Sequence, residues 1–510
     1  MFFNALNMDT GIKVGHLCKL NLLVSLHLNF LKSMSTQSQE KLLQEFEASD
    51  KATWIQKAIE KLKDKDFQAL SSSTYEGITQ QPFYTPEDKV NTALTSADFS
   101  HQAQWQNREI VHFFPWVDNE NDILVEDAPR LTEEANRLAQ TALAKGADSV
   151  YFDLFGVDAS IIDFGVLLQG IDLIEQPLGF TFDGRTEGFI GQMEDAEWMG
   201  VIDYDFLANW TISGYYHNTV FEDLAELIHY THHRPKVKAL TINTTNLHNA
   251  GANAVQELAF GLSTLVEYLH QLTDLGLDLP LLLRNVEFSM GTGSNYFMEM
   301  AKFRALRLLW KQILQGYKTP QQPLSIHAQT ATWNKTITDV NVNMLRSTTE
   351  AMSAVIGGVD ALSVLPYNDF FTEPDDFARR IARNVSTLLK EESYLDKVVD
   401  AASGAYYIEH LTKELAQKSW DLFQQTEKRG GFIKAFKAGF VQNEIEKIAN
   451  QKIHQVETGQ DVMVGTNKYE NANEKIDKVP KDTSQEVQSE VKLLKLRRLS
   501  EGVEQKKLEK

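Results

Sequence analysis

From about residue 130 onward, short runs that are apolar throughout alternate with helical stretches that are apolar on one face only. Few architectures can use that rhythm. A strand with no polar face must be covered on both sides, as in a parallel sheet flanked by helices. Residues 132–145 carry helical spacing, meet a stop at Gly146, and lead into a buried strand over 149–155. Further strands read at 179–182, 237–242, 281–288, 324–328 and 361–365. Helices read at 160–174, 220–232, 251–272, 296–316, 343–357 and 375–389, and 195–210 reads as a turn and helix. About eight βα units over roughly 260 residues predict an α/β protein, a (β/α)8 barrel rather than an open doubly wound sheet. No G-x-G-x-x-G or P-loop follows an early strand, so a nucleotide-binding fold has no support.

The rest of the chain is read around that barrel, at 129–400. Residues 1–33 hold the apolar run Leu20–Leu31, too short for the ~20 residues a bilayer needs and followed by no A-x-A cleavage site. Met34 opens a polar start, so 1–33 are expected to be an upstream extension or a misassigned start. Residues 34–128 read as an N-terminal helix and an extended arm. Tyr75, Phe83, Tyr84, Phe99, Trp105, Phe113, Phe114 and Trp116 give the arm aromatic surface that must lie against something, and a partner is the expectation. Residues 401–469 read as helices closing the barrel region, and 470–510 as a charged tail, helical or disordered.

Composition excludes several functions. Asp and Glu outnumber Lys and Arg by 70 to 50, a formal charge of −20, which opposes nucleic-acid binding. The single cysteine, Cys18, excludes an intrachain disulfide and a cysteine zinc site, and fits a reducing cytoplasm.

Barrel chemistry sits where strands end at their C-terminal side. His327 and Gln329 stand at such an end, where a histidine beside a glutamine can donate hydrogen bonds to a substrate carbonyl. The plain alternative is a structural histidine with its bonds satisfied. Asn243–Asn249 follows another strand but holds no carboxylate or cysteine, hence no acid–base pair. Asp183, Glu187, Glu194, Asp195 and Glu197 read as a solvated acidic loop without calcium-loop order. His229, His232 and His233 share a helix face but lack H-E-x-x-H, and read as a polar helix end.

Several blocks together resemble one family. Glu76-Gly77-Ile78 followed by Pro82–Asp88, Phe297–Ala305 with Arg307 and Leu309-Trp310, and Arg346–Met352 with Gly357-Gly358 stand in order. Phe377–Asn384, Ser403–Tyr407 and Val464–Tyr469 complete the series. The pattern is similar to the methylmalonyl-CoA mutase family over about residues 50–470. The resemblance implies a barrel that encloses acyl-CoA and faces adenosylcobalamin held by a C-terminal flavodoxin-like domain. It also implies radical interconversion of methylmalonyl-CoA and succinyl-CoA, as in propionate metabolism.

Three departures shape the expectation. None of the 13 histidines has Asp two positions before it, so the D-x-H-x-x-G motif of the cobalamin domain is missing, and that domain is expected to be absent. Aligning on Ala250-Gly251-Ala252 puts Thr245 and Asn246 where catalytic members carry Tyr-His. The catalytic R-Q-Y-A-G-F segment has no counterpart, and Gly293-Ser294-Asn295 replaces an H-N-D. The pattern therefore resembles the small, non-catalytic subunit of heterodimeric members. Its partner would be a larger catalytic homologue, which binds the adenosylcobalamin and the acyl-CoA. His327 and Gln329 would be ligand-facing remnants, and Thr245 and Asn246 degenerate positions. The alternatives are a catalytic barrel served by a separate cobalamin-binding chain, and a free-standing acyl-CoA binder, which needs an open bore.

Overall fold

The computed structural model describes residues 49–62, 66–99, 103–113, 127–182, 185–471, 476, 479–480 and 489–509. The expectations for residues 1–33, for Phe114 and Trp116, and for most of 472–488 lie outside the described residues. The chain divides into two compact units at Ser71, inside the segment read above as one arm. The described part of the first unit holds the helix Lys51–Leu62, with Trp54 edge-on to Phe67 at 6.2 Å.

The second unit is built on a parallel barrel. Its strands are β1 (Gln106–His112), β2 (Ser149–Asp153), β3 (Leu178–Thr181) and β4 (Gly200–Asp203). There follow β5 (Val237–Lys238 and Leu240–Asn243), β6 (Val286–Thr292), β7 (Ser325–Thr330) and β8 (Ala361–Ser363). β5 is one strand interrupted at Ala239. Its first piece pairs with β4 and its second with β6. β8 pairs with β1, Ala361 opposite Gln106, so the eight strands close into a ring. Every barrel pairing is parallel, as wholly buried strands require.

Helices cover the ring. The first, α1 (Ala128–Ala144), turns Leu131, Ala135, Ala139 and Ala142 inward and is followed by Gly146 at φ +102°, a value few other residues adopt. Between β3 and its covering helices Phe180 meets Phe152, Phe164, Phe189 and Trp198 at 5.3–5.8 Å. Cutting one such ring to alanine costs about 3–5 kcal/mol. The chain also forms α2 (Thr245–Asn249), α3 (Ala254–Asp274), α4 (Tyr296–Gly316), α5 (Tyr406–Glu427) and α6 (Phe440–Glu457). α5 packs on both α3 and α4.

The structure corrects five readings. Of the stretch 160–174, read as a helix, only Phe164–Leu167 is α-helical. The barrel opens at Gln106, inside the presumed arm, so Trp105, Val111 and Phe113 belong to the main core. β4 lies within the stretch read as a turn and helix. Leu281–Leu283, read as strand, falls in the helix Leu279–Asn285, which holds Pro280 in its first turn, and the strand follows it at Val286. The described part of the tail is not free: Leu494, Arg498, Ser500 and Glu504 are buried, and among its described residues the helix is Glu501–Leu508.

Candidate functional site

Side chains alternate along a strand, and in a barrel one set faces the bore. Two contacts here join strands that are not neighbours, so they cross it. Arg108 on β1 donates to Glu287 on β6 at 2.9 Å, both buried. Tyr151 on β2 donates to Asp203 on β4 at 2.8 Å. The tyrosine passes over Gly179 of β3, where a Cβ would fall 2.1 Å from its ring. Asn243 of β5 adds a second donor to Asp203 at 3.0 Å, and Ser325 a second donor to Glu287 at 2.8 Å. Burial alone would raise Glu287, but Arg108 and its hydrogen bonds hold it below the ordinary carboxylate value.

His327 lies between these bonds, stacked near-parallel on Tyr151 at 6.4 Å and 3% exposed. Its Nε2 is 2.9 Å from the Ser363 hydroxyl and its Nδ1 2.9 Å from that of Ser289. Ser363 gives its own proton to the Arg108 carbonyl at 2.8 Å. Nε2 must therefore carry the imidazole proton and Nδ1 must accept from Ser289. Burial, reinforced by Arg108, lowers His327 to about 3, so the ring is neutral. Both nitrogens are used inside the barrel. Gln329 stands one inward step nearer the rim, opposite Ser363, and is partly exposed.

At the rim the other candidates are tied to the chain. Thr245 donates its hydroxyl to Asn243 at 2.6 Å, and Asn246 donates its amide to the Ala208 carbonyl at 3.0 Å. The structure does not join either to His327. Beside them lies a buried cluster that sequence reasoning missed. Lys302 of α4 is wholly buried and contacts Glu257 (2.7 Å), Glu299 (2.6 Å) and the Gly291 carbonyl (2.7 Å). Glu257 also meets Nδ1 of His248 at 2.9 Å, and Gly291 has no side chain because the His248 ring fills that space. Burial alone would lower Lys302, but the two carboxylates raise it. Burial raises Asp205, just past β4, to about 7 despite a 2.6 Å bond from Tyr268. His112, at the end of β1, contacts Asp153 at 2.7 Å and Asp369 at 3.8 Å. Burial would lower it, but those carboxylates and Glu373 raise it to about 9.

Arg108, Glu287 and Asp203 were also missed; for Glu287, the one charge in the strand VEFSMGT, a charge inside an otherwise apolar strand was a readable sign. Among the described residues no three His, Cys, Asp or Glu side chains gather as a metal centre. Glu194, Asp195 and Glu197 instead share with His233, Arg234 and Lys236 an open groove of about 480 Å³ at the opposite, N-terminal end of the barrel.

Residues 159–510 match a family model described as methylmalonyl-CoA mutase. The methylmalonyl-CoA mutase small subunit of Porphyromonas gingivalis is 34% identical, covering 86% of this chain and 72% of its own length. The small subunit of Streptomyces virginiae is 33% identical over 74% of this chain and 62% of its own. The large subunit of P. gingivalis is 32% identical over 66% of this chain and 52% of its own. The chain thus spans between half and three quarters of these relatives.

Proposed function

The chain belongs to the methylmalonyl-CoA mutase family, and on that premise we propose that it is the non-catalytic small subunit of a cytoplasmic heterodimer. Its partner is a larger catalytic homologue that binds adenosylcobalamin and interconverts methylmalonyl-CoA and succinyl-CoA. One observation carries the reading. The bore, where a ligand-holding barrel needs space, is crossed by Arg108–Glu287 and Tyr151–Asp203, with His327 wedged between. Opening it would strand the buried charges of Arg108 and Glu287, at about 3–5 kcal/mol for breaking that ion pair. The same packing disfavours a free-standing acyl-CoA binder.

Among the described residues, His327, the histidine that faces the bore, does not fit an axial ligand to cobalt, because both of its nitrogens are bonded inside the barrel. Asn246, at the place of an imidazole donor, spends its amide on a neighbouring helix. Relatives that are named small and large subunits of one organism support the pairing.

Co-expression with a larger homologue that carries D-x-H-x-x-G tests the reading. A one-to-one complex is expected, with adenosylcobalamin binding and turnover only when the larger chain is present. Stoichiometric cobalamin binding or turnover by this chain alone would overturn it.

A further inference from the structure

At the C-terminal end of β6 the turn 293–295 leaves the strand and enters α4. His248 of α2 and Glu299 of α4 reach this turn, and each is 6% exposed. A Cβ on Gly293 would lie 3.0 Å from Nε2 of His248 and 3.3 Å from Oε1 of Glu299. The two atoms thus converge on one backbone position that carries no side chain. Gly293 is not in the left-handed region, so a methyl group there would change the space and not strain the backbone.

Both converging atoms are acceptors. Glu257 takes a bond from Lys302 at 2.7 Å and contacts Nδ1 of His248 at 2.9 Å. Burial would raise Glu257, but Lys302 and His248 hold it well below the ordinary carboxylate value, so it can only accept. Nδ1 therefore carries a proton, and the lone pair of the neutral ring falls on Nε2. Glu299 meets Lys302 through its other oxygen, Oε2, at 2.6 Å. Among the described residues neither Nε2 nor Oε1 has a hydrogen bond, and no ion pair joins them. Both touch solvent, for the polar atoms sealed without a partner include Oε2 of Glu299 and not these two. Ser294 and Asn295, next in the turn, are exposed.

The surrounding charges say what would fit. Glu257 and Glu299 against Lys302 leave one negative charge over. Lys452 also faces both carboxylates, but Glu76 balances it, and it donates to the carbonyls of Gly251 at 3.1 Å and Ala252 at 2.9 Å. A neutral hydroxyl brings one proton to two acceptors. An ammonium brings three, and the missing charge.

We propose that Nε2 of His248 and Oε1 of Glu299 form a niche for a primary ammonium group at the C-terminal rim of the barrel, with Glu257 fixing the imidazole tautomer and Gly293 keeping the niche open. The group arrives on a small free amine or on a lysine of another chain.

Methylammonium, titrated at mildly alkaline pH into the full chain carrying 15N-labelled histidine, tests this. The Nε2 resonance of His248, identified by its loss in His248→Gln, should move upfield and saturate. Half-saturation should fall at about 10 mM, near the limit for a ligand of two heavy atoms. His327, bonded at both nitrogens, should not move. Tetramethylammonium has the charge but no N–H, and should leave His248 where it is. Gly293→Ala, which crowds both acceptors, should weaken methylammonium about tenfold or more. The niche is overturned by the absence of a saturable shift, by an equal shift with tetramethylammonium, or by unchanged affinity in Gly293→Ala. Should that variant not fold, Glu299→Gln removes the charge and leaves the space. Binding about tenfold weaker is then expected, the loss of one charge-assisted bond, and unchanged affinity would refute the niche. In the complex with the larger homologue, continued methylammonium binding assigns the niche to a free amine, and its exclusion assigns it to a lysine of the partner.

Discussion

The Tyr151 hydroxyl reaches Asp203, two strands away, by lying directly on Gly179. The glycine and the tyrosine are therefore one feature. Gly179 takes no side chain while Tyr151 stays, because any Cβ at 179 must displace the ring.

Gly179→Ala should destabilise the chain by about 1–3 kcal/mol, the usual cost of overpacking. Adding Tyr151→Ala should cost less than the sum of the single changes, since the ring no longer opposes the methyl group. Urea unfolding of the two single variants and the double variant measures this. Simple additivity would mean that the ring does not rest on Gly179.

Two buried groups should bend the pH dependence of stability in opposite senses. His327 sits at about 3, below the ordinary 6.5, so the folded chain binds fewer protons than the unfolded one between these values. Its contribution is complete above pH 6.5 and is lost as pH falls toward 3. Asp205 sits at about 7, above the ordinary 3.8, so its contribution is complete below 3.8 and is lost as pH rises toward 7. Each contributes at most about 1.4 kcal/mol per pH unit, and between pH 4 and 6.5 they oppose each other. Relative to the unaltered chain, stability of His327→Gln should decline more steeply as pH rises through that window. Stability of Asp205→Asn should climb more steeply. Denaturation midpoints from pH 4 to 7 check both signs.

Lys302→Met should cost about 3–5 kcal/mol, because it leaves Glu257 and Glu299 buried without their cation. Pairing it with Glu257→Gln should recover part of that loss. A thermal melt that drops further in the double variant would show that the carboxylates have another counter-charge.

The alternation of apolar strands and amphipathic helices was enough to predict a closed parallel barrel, because continuous apolar runs leave strands few other places. It failed where the bore is polar. β1 reads QNREIVH, with charge at two of its seven positions, and β4 reads GVID beside a turn-like YD. Polar bore positions break the apolar run on which strand reading depends. Leu281–Leu283 misled in the opposite way, since an apolar triplet after a proline suits a short buried helix equally well. His327 could be placed at a strand end from sequence, but its partners Ser289 and Ser363 are about 40 residues away on either side and carry no pattern. For Thr245 and Asn246 the sequence offered only the expectation of degenerate positions and no partner. The acceptor that Asn246 uses, the Ala208 carbonyl, belongs to tertiary packing.

Closure of β8 on β1 has a consequence for synthesis. Gln106–His112 leaves the ribosome about 250 residues before the strand that covers its open edge, a wait of about 12–50 s at ordinary elongation rates. Throughout that time β1 presents an unpaired row of backbone groups to other nascent chains. Arg108 and Glu109 put opposite charges in the middle of that edge, a known deterrent to strand addition. Arg108, which later crosses the bore to Glu287, and Glu109, which later pairs with Arg383, thus also guard the chain before the ring exists.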